Sequence, residues 1–136
     1  MNYNRFVLQM KILKSYRESK EDLEKEIDDI CYQYCGVKGI SYDKEPITSN
    51  PYITDEKMLL MSEALEIPQK ELESTIYAIK QLEPIVYGDL YRLPEDVQKV
   101  CIKIFWNNET FDDVSKEVGY SRNGLWYRVK KEIEKL

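Results

Sequence analysis

Histidine is absent from this chain. That removes imidazole as a catalytic base or metal ligand, and with it many hydrolase and zinc-site designs. Glycine and proline number five each in 136 residues, too few for a linker or low-complexity protein. No apolar run is long enough to cross a bilayer. Arg5, Lys11, Lys14 and Arg17 interrupt the early apolar stretches, so nothing there reads as a signal peptide, and the expected location is the cytoplasm. Cysteine is scarce and odd in number: Cys31, Cys35 and Cys101. If Cys31 and Cys35 share a helix, their spacing holds the β-carbons too far apart for an unstrained disulfide. Three thiolates without histidine also make a poor structural zinc site, although Asp or Glu could supply a fourth ligand. Buried, reduced thiols are expected, with no metal and no cofactor.

What is present is charge and helical periodicity. Charged residues make up 33% of the chain and hydrophobic ones 43%, with a net charge of −5. The length suits one domain, or a small domain with an extended attachment. An acidic balance argues at first against a nucleic-acid partner, but the charge is unevenly placed. Residues 1–93 hold 12 basic and 17 acidic side chains, whereas residues 94–136 hold eight of each. The stretch Ser121 to Lys131 alone carries +4 and no acid.

From Tyr3 to Tyr34 there is neither Gly nor Pro. Phe6, Met10 and Leu13 form one apolar stripe, and Leu23, Ile27, Ile30 and Tyr34 a second, as on a long amphipathic helix or coiled coil. The polar stretch Ser15 to Asp22 interrupts that seam. Residues 36–53 read as a loop whose Val37, Ile40, Tyr42, Ile47 and Tyr52 suggest partial docking on a helix. Helical pattern resumes at Thr54-Asp55, with Met58, Leu59, Met61 and Leu65 as its apolar face and Pro68 as a break. A further helix is expected over about Gln69 to Leu82, bearing Leu72, Ile76 and Ile79, and a short one from Pro84 to about Tyr91. The fold expected is all-α, with a long N-terminal helix or helical hairpin ahead of a helix-turn-helix. The domain boundary is placed between 1–83 and 84–136.

The last forty or so residues carry the functional signal. Leu93-Pro94-Glu95-Asp96 places proline and two acids at a helix start, and Val97, Val100, Cys101, Ile104 and Phe105 supply a core face. Thr110-Phe111-Asp112-Asp113 looks like a capping start. Val114, Ser115 and Val118 then face inward, Gly119 ends the helix, and Ser121 caps another whose Leu125, Val129 and Ile133 face the core. Short helix, glycine turn, second helix is helix-turn-helix grammar. On the exposed face of the second helix, Arg122 and Asn123 suit guanine and adenine edges. Trp126 and Tyr127 suit thymine methyls or sugars, and Arg128, Lys130 and Lys131 suit phosphates. Trp126 could equally close the core, and the terminal lysines could simply complement the helix dipole.

The segment LPEDVQKVCIKIFWNNETFDDVSKEVGYSRNGLWYRVKKEIEKL (residues 93–136) resembles the fourth region of bacterial sigma factors. The whole chain is more similar to the ArpU/RinA-like regulators of Gram-positive phages and prophages, to which the segment GVKGISYDKEPITSNPYITDEKM (residues 36–58) adds support. That resemblance implies transcriptional activation of phage late genes. It carries over Ser121, Arg122, Asn123, Trp126, Tyr127 and Lys130 as DNA-facing positions. Phe105-Trp106 departs from the usual aliphatic-Arg-Tyr run and removes a basic residue near the DNA backbone. Ser115 stands where Ala is usual.

The reading favoured is a sequence-specific regulator of double-stranded DNA, working as a homodimer or higher homo-oligomer through its N-terminal helices. The alternative is a protein-interaction module that grips RNA polymerase or another phage or host factor, with Tyr16, Tyr32, Tyr52 and Tyr87 as contacts. No membrane partner is expected. An enzyme is disfavoured: Asp28-Asp29 and Asp112-Asp113 are adjacent acids that diverge on a helix, and no nucleophile has a plausible base.

Overall fold

In the computed structural model, residues 1–35 and 55–136 are described. The expected loop over 36–53 and the Thr54 cap lie outside them. The described residues form helices and no strand, so the chain is all-α. The helices are α1 (Tyr3–Cys35), α2 (Asp55–Tyr91), α3 (Glu95–Cys101), α4 (Phe111–Val118) and α5 (Arg122–Glu134). A wider π-type turn, Ile102–Trp106, continues α3.

The helices start and stop where side chains satisfy orphan backbone groups. Asn2 Oδ1 accepts the amides of Asn4 and Arg5 at 2.8 and 3.3 Å, opening α1. Gln98 Nε2 donates to the Leu93 carbonyl at 2.7 Å, just past the end of α2. After the π turn, the Asn107 amide donates to the Ile102 carbonyl at 3.1 Å and that of Glu109 to Lys103 at 3.0 Å. Asn108 turns the chain with φ 58, a left-handed conformation that asparagine tolerates better than most residues.

Packing divides the chain into two compact units, Met1–Tyr16 with Ile79–Leu136, and Arg17–Ala78. This division differs from the boundary at 83/84 drawn from sequence. The first unit is built on Phe6, Met10 and Leu13 of α1, Val86 and Leu90 of α2, and Val97, Val100, Cys101 and Phe105. Val114 from α4 and Leu125, Val129 and Ile133 from α5 complete this core. The second unit buries Ile27, Cys31, Met61, Leu65 and Leu72. The two stripes of the α1 seam therefore serve different cores. Ser15 to Asp22, polar in sequence, spans the point where one unit gives way to the other.

Several expectations are corrected. Pro68 and Pro84 break nothing; one helix runs through both. An interior proline costs about 3 kcal/mol through its missing N–H and its clash with the preceding turn. Around Pro68, itself buried, Leu65 and Leu72 are buried as well, and each such side chain contributes about 1.5–3 kcal/mol. Ile79, Val86 and Leu90 do the same around Pro84. Leu59 is 61% exposed and is not part of the buried face. Val118 is 43% exposed, because it lines an open groove with Val100 and Val114. Tyr87 is half-buried, its ring 5.5 Å from those of Tyr91 and Trp106, so it is not a free contact residue.

Candidate nucleic-acid interface

The α4–α5 pair is set by three local devices. Thr110 Oγ1 accepts the Asp113 amide at 3.2 Å and opens α4. Gly119 ends it at φ 78 with its amide on the Ser115 carbonyl at 3.0 Å, a conformation costing an L-residue about 1–2 kcal/mol. Ser121 Oγ accepts the Gly124 amide at 3.1 Å and opens α5. A β-carbon at Gly124 would stand 2.9 Å from that same oxygen, so a side chain there would disturb the cap. Ser115, expected to face inward, is buried, and its hydroxyl donates to the Asp112 carbonyl at 2.8 Å. Leu125, Val129 and Ile133 anchor α5 in the core.

That anchoring turns the opposite face of α5 outward. Ser121, Arg122, Asn123, Tyr127 and Lys131 are exposed, and Lys130 is partly so. Tyr127 is the most open of the aromatics on this helix, at 68% exposure. Arg122 Nε lies 3.7 Å from Asp112 Oδ1, a loose surface pair that contributes little in water. Tyr127, Lys130, Lys131 and Glu134 together line a shallow groove.

Two of the expected contacts are partly committed elsewhere. Arg128 donates from Nε and Nη2 to one oxygen of Asp96 on α3, at 3.0 and 2.8 Å. That hydrogen bond is the main reason the guanidinium is held above its ordinary value; desolvation opposes it and the Asp96 charge adds to it. Arg128 thus clamps α5 to α3. Trp126 meets Tyr3 edge-on at 6.2 Å and carries the Lys130 ammonium 5.0 Å from its ring centroid. At 37% exposure it is both a closure of the core and a surface residue. Tyr3 is held above its usual range first by burial and then by Cys101, partly offset by Trp126.

Sequence patterns missed the role of Trp106. Its indole N–H donates to the Met10 carbonyl at 3.0 Å, tying the π turn to α1. Lys103, paired with Glu117, fastens the same region to α4, and this hydrogen bond is the main reason its ammonium is held above the ordinary value. A separation of 96 residues between Trp106 and Met10 leaves no local signal for such a contact.

The unit that carries α5 holds 13 basic and ten acidic side chains, a net +3, while Arg17–Ala78 holds seven basic and 15 acidic, a net −8. The acidity of the chain belongs to the other unit. Among the described residues, no helix is long and apolar enough to cross a membrane. No protein-family model, curated protein or solved structure matches the chain.

Proposed function

We propose that this chain is a sequence-specific DNA-binding transcriptional regulator acting in the cytoplasm, with α4 and α5 as its helix-turn-helix and α5 as the helix that enters the major groove. The observation that carries this reading is the outward face of α5. Arg122, Asn123, Tyr127, Lys130 and Lys131 stand on one short helix, free of acid up to Lys131, on a unit of net positive charge. An α-helix about 10–12 Å wide fits a major groove about 12 Å wide. Arg122 and Asn123, at its first turn, are then the base readers. Lys130 and Lys131 are the phosphate contacts, and Tyr127 packs on sugars or a thymine methyl. The resemblance to phage late-gene activators supports the biological setting and the sign of regulation.

Few phosphate contacts per chain mean weak binding by one copy, so the regulator works as a homodimer on paired half-sites. Leu8 and Ile85, each more than half exposed, suit contacts between copies. A protein-interaction module gripping RNA polymerase is the competing reading, and it predicts retention of polymerase with no DNA retained at low salt.

Selection of bound fragments from the source genome at two salt concentrations tests the proposal. One palindromic or repeated site should emerge, and log K should fall with log salt at a slope of about −2 per protomer. Arg122→Ala should relax preference at one base pair by about 1–3 kcal/mol, whereas Lys130→Ala should weaken all sequences alike and flatten the slope by about 1. Unchanged binding in both variants rules out this docking.

A further inference from the structure

The Arg17–Ala78 unit contains three sulfur atoms in and around its core that DNA binding does not use. We infer that Cys31, Cys35 and Met61 form a binding site for a soft monovalent metal ion, Cu(I) in the first instance. Cys31 and Cys35 stand one turn apart on the same face of α1, where β-carbons are about 5–6 Å from each other. The Cys35 thiol donates to Met61 Sδ on α2 at 3.4 Å. Cys31 and Met61 are both buried, in one cluster with Ile27, Leu65 and Leu72, and Cys35 packs against it. Sulfurs sharing a metal at about 2.3 Å in a trigonal arrangement stand about 4 Å apart, so the Cys35–Met61 pair needs to open by only about half an ångström.

The donor set selects the ion. Thiolate and thioether are soft ligands that favour Cu(I), and a dry apolar shell suits an ion that needs few donors. Zinc wants four donors in a tetrahedron, and among the described residues no three His, Cys, Asp or Glu side chains converge. Loading breaks two S–H bonds, forms two S–Cu bonds, adds the thioether lone pair and releases two protons, with no change of oxidation state. The bound group then carries one net negative charge, and the surplus of acid on this unit draws the cation toward it. The site stands whether or not the chain binds DNA.

The test is an anaerobic titration of the reduced full chain with Cu(I) against a bicinchoninate competitor. One ion per chain should be retained, and Cys101→Ala, in the core of the other unit, should retain it equally. Cys31→Ser and Cys35→Ser should each bind at least about tenfold more weakly. Met61→Leu, which conserves volume, should lose about tenfold while keeping native circular dichroism. If a serine variant fails to fold, Met61→Leu decides. No retention by the parent chain, undiminished retention in Met61→Leu, or equal retention of Zn(II) overturns the site.

Discussion

Cys101 shows what a single buried thiol does to the chain. It is fully buried in the first unit, and desolvation pushes it up to about 12 from 9.0. Between those values the unfolded chain has lost the thiol proton while the native chain keeps it. The native state then binds more protons, so its stability falls as pH rises above about 9. The slope contributed is at most about 1.4 kcal/mol per pH unit. Below that pH both states hold the proton and the contribution is flat. Cys101→Ala removes the titrating group, so its unfolding free energy should lose less between pH 9 and 10 than that of the parent chain. Urea unfolding at those two pH values measures the difference, and parallel losses in the two proteins would show that Cys101 does not titrate as its burial requires.

At the scale of the helices, the Asp96–Arg128 pair is the clearest link between α3 and α5. Both side chains are partly exposed, so the pair contributes about 0–1 kcal/mol to stability. Its larger effect is on what Arg128 is free to do. Asp96→Ala should cost under about 1 kcal/mol in urea unfolding and release a cation beside the groove, steepening the salt slope of DNA binding by about 1. An unchanged slope would show that Arg128 lies out of reach of the phosphates. This pair also marks how far the site was legible in sequence. Thr110, Gly119 and Ser121 could be read directly, because capping is a bond between a side chain and backbone a few residues away. The outward face of α5 followed from the period of Leu125, Val129 and Ile133. Arg128 looked like one more phosphate contact, since its carboxylate lies 32 residues away. Pro68 and Pro84 misled for the complementary reason. The local rule for proline is sound, but burial on either side outweighs it, and burial is a property of tertiary packing.

Across the whole molecule, two separate cores draw on the same two long helices. The cores share no buried residue, although α1 and α2 supply side chains to both. The sequence shows two stripes on α1 and a polar interval between them, but not that each stripe joins a different core, because partner choice depends on contacts between residues far apart in sequence, 80 for Gln9 with Asp89 and 26 for Cys35 with Met61. Separate cores imply independent energetics. Ile27 is 2% exposed in one core and Ile133 fully buried in the other. Ile27→Val and Ile133→Val should each cost about 0.5–1.5 kcal/mol, by loss of one methylene and incomplete collapse around it. With no shared partner, the double variant should show their sum to within about 0.5 kcal/mol. By contrast, Val129→Ala with Ile133→Val, one turn apart on α5 in a single core, should depart from additivity, because the cavities adjoin. Denaturant unfolding of the three single and two double variants measures both comparisons. A coupling between Ile27 and Ile133 as large as that between Val129 and Ile133 would mean that the shared helices transmit packing strain from one core to the other.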